Sequence, residues 1–472
     1  MYTPLLLALV IQGSAEPPMD RYAVVAARLL HSATTEGGAA SYARQLADGI
    51  GPRLAGSPGE KAAVAWALDE IRAIGLEART EPVMVPVWRR GEARARVVSP
   101  VEQGLAIAAL GGSPPTPPSG ISADVVEVDS VEALEALGPS RVRGRIVLFN
   151  RPMAPGLAGY SAVVGLRTDG ASRAARLGAV ASLVRSVGTG RHRLVHTGSV
   201  VYSSDAPAIP AAAVSAEDAE LLHRLLATGA NVKVTLNLSC SALPDAPGAN
   251  VVAELRGRSH PEEIVLIGAH LDSWDLGTGA LDDAAGVGIV LDALRLLASS
   301  GLSPRRTVRA VLFANEENGL RGGQGYAAAH ALELDRHVVA IEGDAGTGRP
   351  LGLSVHAGPG GAESVAAFAR LLLEQPLVRE EIGGPDIEPL AAAGIPLLDL
   401  VQDESRYFDW HHTAADTFDK IEAGPLAEST AFLATMAYVL AEDAATLPRP
   451  RATPAPRGVQ ELWRSDRGPR RR

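Results

Sequence analysis

The sequence predicts an α/β fold with a mostly parallel mixed sheet flanked by helices and a β-rich insertion. Beyond residue 250, short apolar segments typical of buried strands alternate with segments whose apolar residues recur at helical spacing. Strands that alternate with helices form largely parallel sheets covered on both faces. The predicted strands are 251–255, 264–268, 308–314, 338–341, 353–356 and 396–401, and the predicted helices are 284–299, 321–331, 362–373 and 427–441.

The first part of the chain combines a leader with the start of the main domain. Residues 1–15 resemble a signal peptide, because an apolar run too short to span a membrane leads to small residues. No Lys or Arg precedes the run, and a buried N-terminal strand is the alternative interpretation. We expect an exported protein, secreted or periplasmic. Residues 20–94 are predicted to be the helix-rich first part of the main domain, which resumes at 246–447.

Residues 95–245 are predicted to be an inserted β-rich domain. It contains the breaker-rich stretch 114–120 and no carboxylate cluster at metal-ligand spacing, so we expect it to form part of a lid or an interface. The predicted strands of the insertion are 124–128, 145–149, 180–184, 209–214 and 232–238, with helices at 169–177 and 216–227. The tail 448–472 is rich in Pro and Arg and is predicted to be disordered, solvated rather than bound to an anionic surface.

Composition excludes several functions. A net charge of −10 argues against a nucleic-acid partner, whose phosphates require a basic face. Cys240 is the only cysteine, so an intrachain disulfide and a thiolate-rich metal site are both excluded. The apolar run of the leader is too short to span a membrane, and no other segment is expected to cross one. The 472 residues exceed one ordinary domain, and 46% hydrophobic content is ample for a packed core.

A histidine and several carboxylates follow the predicted strand 264–268 in one short loop. His270 and Asp272 form a His-x-Asp pair, in which the imidazole can bind a metal while the carboxylate orients its ring. Asp282 lies at the entry to the predicted helix 284–299, where an Asp can serve as a helix cap or as a ligand. Because a carboxylate has two oxygens, it can bridge two metals. The loop therefore supplies candidate zinc ligands.

Further acidic residues follow other predicted strands. Glu316 and Glu317 come directly after strand 308–314, and adjacent side chains at a strand end point to different sides. One can bind metal while the other acts as a general base, whose pKa burial raises toward neutrality. A solvated acidic loop is the alternative. Asp344 ends an apolar strand, where an unpaired buried charge is costly and a metal partner is plausible.

The pair His411-His412 supplies the last candidate. We interpret His412 as a ligand of a second metal and His411 as structural. The five candidate ligands are then His270, Asp282, Glu317, Asp344 and His412. They give each of two metals two terminal ligands plus the shared Asp282, and metals bridged in this way lie about 3.5–4 Å apart.

These motifs resemble those of the zinc metallopeptidases of family 28. The segments are His-Leu-Asp-Ser-Trp-Asp from residue 270, Asp282-Asp283, Glu-Glu-x-Gly from 316, Glu-x-Asp-Ala-Gly from 342 and His-His-Thr-x-x-Asp-Thr from 411. The likeness continues through the insertion, where Gly-Arg-Ile-Val-Leu-Phe-Asn from 144 and Arg-Thr-Asp-Gly-Ala from 167 are similar to a protease-associated domain. It covers about residues 20–447.

The resemblance implies a zinc exopeptidase-like fold that binds two Zn²⁺ per chain through the five candidate ligands. It implies that Glu316 is the general base and that Asp272 orients His270. It places the ligand at Asp344 in preference to Glu342. It also implies a cis peptide bond after the bridging aspartate, between residues 282 and 283. The residue that stabilises the oxyanion has no secure match, and Tyr407 is the candidate for substrate binding.

The implied reaction is hydrolysis of a peptide bond near a chain end. One zinc polarises the scissile carbonyl, while Glu316 takes a proton from a water that bridges the metals and hands it to the leaving amine. The resemblance favours dipeptides or short peptides with a free carboxyl end, and a homodimer. The alternatives are an aminopeptidase of the same family, a glutaminyl-cyclase-like acyltransferase with one zinc, and a non-catalytic receptor-type binding protein.

Overall fold

The computed structural model describes residues 18–344 and 346–451. The predicted signal peptide at 1–15 lies outside the described residues, and so does the predicted tail beyond residue 451. The described chain contains two eight-stranded sheets. None of its helices is both long enough and apolar enough to cross a membrane.

Strands and helices are numbered along the chain. The strands are β1 Ala78–Arg89, β2 Ala93–Ser99, β3 Gln103–Leu105, β4 Ile107–Ala109, β5 Ile121–Val128, β6 Ile146–Phe149, β7 Ala181–Arg185, β8 Ala211–Val214, β9 Lys233–Leu238, β10 Ser241–Leu255, β11 His260–His270, β12 Arg306–Phe313, β13 His337–Glu342, β14 Pro350–His356, β15 Leu377–Arg379 and β16 Leu397–Gln402. The α-helices are α1 Pro18–Glu36, α2 Ala39–Arg44, α3 Pro58–Ala73, α4 Val131–Val142, α5 Gly156–Ser161, α6 Val164–Thr168, α7 Gly170–Arg176, α8 Ala216–Ala227, α9 Ala285–Ser299, α10 Arg321–Ala329, α11 Gly361–Ala369, α12 Tyr407–Trp410 and α13 Ala423–Glu442.

The main sheet has the strand order β1-β10-β12-β11-β13-β16-β14-β15. Its four central strands, β12, β11, β13 and β16, are parallel. Antiparallel pairing occurs between β1 and β10, between β10 and β12, and between β14 and β16, whereas the edge strand β15 is parallel to β14. Every residue of β12 is buried, as expected for a strand covered on both faces. The predicted α/β fold with a mixed sheet flanked by helices is confirmed, and its parallel pairing is concentrated in the centre.

Two apolar cores lie on opposite faces of the main sheet. Val265 and Ile267 of β11 pack into a large cluster with helices α1, α2, α9 and α13, whereas Leu266 packs into a second cluster. This alternation follows from the period of two along a strand. Nearly all of α9 is buried, which explains why its sequence is apolar on all sides. The first turn of α9 follows Asp282 closely in the sequence. Because α9 is buried against the sheet, Asp282 is held there as well.

The second sheet lies within the predicted insertion and has the order β3-β2-β9-β5-β6-β7-β8-β4. Strands β5 to β8 are parallel, and helices connect β5 to β6 and β6 to β7, so this part is more helical than the β-rich domain that the sequence predicts. One apolar cluster lies entirely within this part, whereas a second also includes Leu54, Trp88 and Trp274 from outside the predicted insertion. The domain boundaries and the kinship with a protease-associated domain stay predictions.

A long antiparallel ribbon joins the two sheets. Strands β1 and β10 pair from Ala78 and Ala253 to Arg89 and Ser241, and the chains continue directly into the pairing of β2 with β9. The sequence patterns predict neither β1 nor the first half of β10. Both are largely solvent-exposed and interrupted by prolines, so they lack the apolar run that marks the central strands.

Candidate metal centre

Neighbouring parallel strands of the main sheet end at one place. His270 ends β11 and is in register with Phe313, the last residue of β12, after which Glu316 and Glu317 follow. The next strand, β13, is in register with β11 and leads to Asp344. Because the carboxyl ends of parallel strands meet at one edge of a sheet, these side chains lie together.

Asp282 lies between the candidate ligands that these strands supply. Its Oδ1 is 3.1 Å from His270 Nε2, and that nitrogen is 3.6 Å from Asp344 Oδ1. Its Oδ2 is 3.1 Å from His412 Nε2, which is also 3.1 Å from Glu317 Oε2. Each oxygen of Asp282 therefore belongs to a different group of donor atoms. The structure brings all five candidate ligands together.

The spacing and burial of these donor atoms fit zinc. Zinc binds imidazole nitrogen and carboxylate oxygen at about 2.0–2.2 Å, so neighbouring donors of a tetrahedral site lie about 3.4 Å apart. The separations of 3.1 and 3.6 Å bracket that value. Asp282 is only 5% exposed, and its Oδ2 has no hydrogen-bond partner among the described residues. A bound cation would satisfy this oxygen.

The electrostatics of the cluster also favour a cation. Burial raises the pKa of Glu317 to about 7, Asp282 adds to the shift, and His412 opposes it. Burial also raises the pKa of Asp344. Burial lowers the pKa of His412, but the two carboxylates beside it outweigh this effect and hold that pKa well above its usual value. Several carboxylates that repel one another in a buried site are stabilised by divalent metal.

Asp272 orients His270 by its main chain as well as by its side chain. The carbonyl oxygen of Asp272 lies 3.1 Å from His270 Nδ1, and its carboxylate Oδ1 lies 3.6 Å from the same nitrogen. With Nδ1 as the donor, Nε2 is free to face Asp282. The carboxylate Oδ1 of Asp272 also accepts the main-chain N–H of Glu316 at 2.9 Å. One residue therefore positions both a candidate ligand and the candidate base.

Asp283, and not Asp282, caps the helix that follows. Its Oδ1 accepts the N–H of Gly286 at 2.8 Å in the first turn of α9, and its Oδ2 accepts the N–H of His270 at 3.2 Å. The peptide bond between Asp282 and Asp283 is cis, as the family resemblance implies. Asp283 therefore has the helix-capping role that was the alternative for Asp282. The carboxylate of Asp282 faces the ligand cluster.

Arg53 and Asp416, to which the sequence patterns assign no role, hold the loop 271–281. Arg53 is fully buried, and its guanidinium donates to three main-chain carbonyls of this loop at 2.7 to 3.0 Å. Asp416 Oδ1 accepts the N–H groups of Ala280 and Leu281 at 2.9 and 2.7 Å. These contacts fix the backbone immediately before Asp282. The sequence shows Arg53 only as an arginine in a breaker-rich turn, and this pattern does not reveal which main-chain carbonyls it contacts.

A cavity of about 590 Å³ opens onto the cluster and is large enough for a short peptide. Glu316 lines this cavity, and burial raises its pKa well above its usual value, with His270 opposing the shift and Asp344 adding to it. Tyr407 lines the cavity as well. Burial raises the pKa of the Tyr407 hydroxyl, which therefore keeps its proton and can donate a hydrogen bond to an oxyanion.

His411 lies closer to the cluster than its interpretation as a structural residue implies. Its Nε2 is 3.5 Å from Asp282 Oδ2, and its ring stacks on that of His412 with centroids 3.6 Å apart. Its Nδ1 is buried without a hydrogen-bond partner among the described residues. His411, His412 and Asp282 therefore form a second possible donor group, in which His411 replaces Glu317.

Glu342, the acidic neighbour of Asp344, is engaged elsewhere. Its Oε2 accepts the main-chain N–H groups of Asp386 and Ile387, both at 3.1 Å. Asp344, in contrast, approaches His270. This geometry agrees with the choice of Asp344 over Glu342 as the candidate ligand.

Known proteins are similar to this chain in sequence and in fold. The chain matches the model of peptidase family M28 over residues 250–437. Human carboxypeptidase Q is 38% identical over 411 residues, which cover 86% of this chain and 85% of that protein. The chain belongs to peptidase family M28. The family resemblance that the sequence motifs carry is thus confirmed, together with the specific likeness to carboxypeptidase Q.

Solved M28 structures extend the comparison to the fold. The crystal structure of a peptidase M28 precursor from Shewanella amazonensis SB2B superposes with a TM-score of 0.89 and 39% identity, over 92% of this chain and 99% of that one. A zinc aminopeptidase from Bacillus subtilis gives a TM-score of 0.66 over 86% of this chain and 96% of that one, at 22% identity, and shows the fold alone. The chain is an M28 metallopeptidase similar to carboxypeptidase Q.

Proposed function

We propose that this M28 metallopeptidase is a di-zinc exopeptidase that hydrolyses dipeptides or short peptides, as the name of its relative carboxypeptidase Q suggests. The observation that carries the proposal is the position of Asp282, whose two oxygens belong to separate donor groups. His270 and Asp344 complete the group at Oδ1. Glu317 and His412 complete the group at Oδ2.

The residues of the cavity divide the chemistry among them. When bound, the two zinc ions polarise the scissile carbonyl and make a water more acidic. Glu316 takes a proton from the attacking water and delivers it to the leaving amine. Glu316 lines the cavity, and burial raises its pKa, which favours its acceptance of the proton. Tyr407 donates a hydrogen bond to the oxyanion, while Asp272 keeps His270 and Glu316 in place.

The substitution Glu316→Gln tests the assigned base. Gln has nearly the same shape but cannot accept the proton, so we expect kcat to fall about 100- to 10,000-fold. Because Glu316 is not among the proposed ligands, elemental analysis should still find two zinc ions per chain. Glu135→Gln, on the exposed side of α4, is the matched control and should keep full activity. Unchanged turnover in Glu316→Gln would refute the assignment.

An aminopeptidase of the same family is the second candidate function. The 38% identity to carboxypeptidase Q does not favour it, but the acidic side chain of Asp399 lines the cavity, where a carboxylate can bind a free amine. A panel of dipeptides with free or blocked termini separates the two. A carboxypeptidase or dipeptidase loses activity when the C-terminus is amidated, whereas an aminopeptidase loses activity when the N-terminus is acetylated.

We also propose that the chain is exported and forms a homodimer, and that residues 95–245 are a protease-associated domain. The leader-like residues 1–15 support export, and the motifs from residues 144 and 167 support the domain assignment. Sequencing the N-terminus of protein recovered from the periplasm or medium tests export and locates the cleavage site. Sedimentation of purified, zinc-loaded protein tests the dimer, and a monomer at micromolar concentration would exclude it.

A further inference from the structure

Arg90 lies where the main sheet and the second sheet meet. It belongs to the short connection between β1 and β2, and its side chain is 9% exposed. Nε donates to Asp275 Oδ1 at 2.9 Å, and Nη2 donates to the same oxygen. Nη1 donates to the Thr197 hydroxyl at 2.9 Å and to the carbonyl of Ala109. The guanidinium therefore joins the loop 271–281 to the second sheet's part of the chain.

Two buried tryptophan rings also contact the Arg90 guanidinium. Its Cζ lies 5.1 Å from the ring centroid of Trp88 and 5.5 Å from that of Trp274. Cation–π contacts of this kind are stronger when water is excluded from them. The Trp274 ring packs in addition against the main chain of Gly111, where a Cβ would come within 2.0 Å of the ring. Ring contacts and hydrogen bonds together fix the position of Arg90.

The first path from Arg90 to the candidate metal centre leads to Glu317. The partner Asp275 directly follows Trp274, whose main-chain N–H donates to Glu317 Oε1 at 3.1 Å. The other oxygen, Oε2, then faces His412 at 3.1 Å. Carboxylates that bind a metal are commonly held by such a hydrogen bond. By fixing Trp274 and Asp275, Arg90 fixes the donor that orients this candidate ligand.

The second path leads through Thr197 to His412. The hydroxyl of Thr197 accepts from Arg90, while its main-chain N–H donates to the carbonyl of His412 at 2.9 Å. The Thr197 carbonyl oxygen lies 3.3 Å from His412 Nδ1. With Nδ1 as the donor in this contact, Nε2 is free to face Asp282 and Glu317. A hydrogen bond at the second ring nitrogen fixes the tautomer and the ring orientation of a metal-binding histidine.

The two ligands of the other donor group have different supports. His270 contacts the carbonyl of Asp272 through Nδ1, and its main-chain N–H donates to Asp283. Asp344 approaches His270 itself. Among the described residues, neither Arg90 nor its two side-chain partners form a hydrogen bond with these ligands. The support that Arg90 provides is therefore confined to one donor group.

We propose that Arg90 is a positioning residue for one of the two metal sites, the site at Asp282 Oδ2. Because Arg90 supports both Glu317 and His412, its removal weakens zinc binding at this site and leaves the site at Oδ1 unchanged. Thr197 belongs to the second sheet's part of the chain, so Arg90 couples the packing of the two sheets to the occupancy of one site. The inference rests on the proposed two-zinc centre and deepens it.

Competition with a zinc chelator measures the affinity of each site in the full-length protein. We expect the parent to bind two zinc ions and Arg90→Met to bind one of them about 10- to 100-fold more weakly, the usual effect of removing a group that supports a ligand. Arg90→Lys, which keeps the charge but lacks the planar fork, should lie between them. Arg94→Gln removes an exposed arginine of β2 that pairs with Glu92 and, as the matched control, should leave both affinities unchanged.

Variants that lack one ligand identify the site that responds. His412→Ala leaves the site at Asp282 Oδ1, where adding Arg90→Met should change the zinc affinity less than about threefold. Asp344→Ala leaves the site at Oδ2, where adding Arg90→Met should weaken zinc binding about 10- to 100-fold. Equal weakening of both sites would make Arg90 a general structural support and overturn the inference.

A smaller change keeps the inference testable if Arg90→Met does not fold. Thr197→Val removes the hydroxyl that accepts from Arg90 but keeps the main-chain contacts with His412. We expect it to weaken zinc about three- to tenfold, and only at the site that contains His412. Two zinc ions whose affinities are unchanged in Thr197→Val and Arg90→Lys would refute this inference alone. A parent protein that binds a single zinc would refute the proposed two-zinc centre and this inference with it.

Discussion

The adjacent imidazoles of His411 and His412 compete for one oxygen of Asp282. Their Nε2 atoms lie 3.5 and 3.1 Å from Asp282 Oδ2, and His412 additionally lies 3.1 Å from Glu317. We propose His412 as the zinc ligand of the pair, because it has two carboxylate neighbours and a terminal ligand must share its metal with the other donors of the site. His411 then packs against it and shapes the cavity wall.

Alanine substitution of each histidine distinguishes these roles. We expect His412→Ala to reduce bound zinc from two ions toward one ion per chain, since it removes a terminal donor from one group only. His411→Ala should retain two. The measurement is elemental analysis after dialysis against metal-free buffer. The reverse pattern would move the second site to His411 and exclude the assignment of His412.

The candidate ligands could be predicted from the sequence because each follows a recognisable signal. His270, Glu317 and Asp344 come after apolar strands, and parallel strands place such residues at one edge. Arg53 and Arg167 give no such signal. Their partners are main-chain carbonyls and a hydroxyl. Every residue has a main-chain carbonyl, so only the folded chain identifies which ones these arginines contact.

At the scale of elements, one loop depends on a residue from a distant segment. Arg53 precedes α3, yet its guanidinium donates to the carbonyls of Leu271, Thr278 and Gly279 in the loop 271–281. We expect Arg53→Met to lower the free energy of unfolding by about 3–5 kcal/mol, because it leaves these buried acceptors and nearby carboxylates without their cation. Urea denaturation of the metal-free protein measures it.

A surface arginine provides the comparison for that experiment. Arg72, which lies in the helix α3 that follows Arg53, forms an exposed ion pair with Asp69 at 3.2 Å. Arg72→Met should change the free energy of unfolding by less than about 1 kcal/mol, since exposed pairs are worth little. Similar effects of the two substitutions would mean that Arg53 does not support the loop.

The predictability of whole elements follows their burial. Strands β11, β12 and β13 and helix α9 carry continuous or periodic apolar residues because the sheet is covered on both faces, and the sequence predicts all four. β1 and the first half of β10 have few buried residues to impose a pattern. The sequence patterns therefore do not predict this part of the ribbon, although the ribbon joins the two sheets.

At the scale of the whole molecule, a buried histidine makes the fold sensitive to acid. His337, at the start of β13, is fully buried and contacts the Tyr326 hydroxyl at 2.7 Å. Burial lowers its pKa from 6.5 to about 4. In the unfolded chain, His337 therefore binds a proton below about pH 6.5, whereas in the native protein it binds one only below about pH 4. Stability is fully present above pH 6.5 and is lost as the pH falls between these values.

The variant His337→Gln tests this linkage. Between pH 7 and pH 5 the free energy of unfolding of the parent should fall by about 2 kcal/mol because of His337. In the variant this contribution should be absent. Urea unfolding at both pH values gives the difference, with His31→Gln on the exposed side of α1 as control. An identical pH dependence in His337→Gln and the parent would exclude His337 as the source.

The hydrogen bonds between Thr197 and His412 have a consequence for how such enzymes diversify. Thr197 belongs to the second sheet's part of the chain, and its neighbour Ser199 donates to the carbonyl of Glu317 at 2.8 Å. The second sheet's part of the chain thus hydrogen-bonds the backbone of two candidate ligands. We expect that replacing this part by that of a homologue without matching hydrogen bonds would leave His412 and Glu317 less well held.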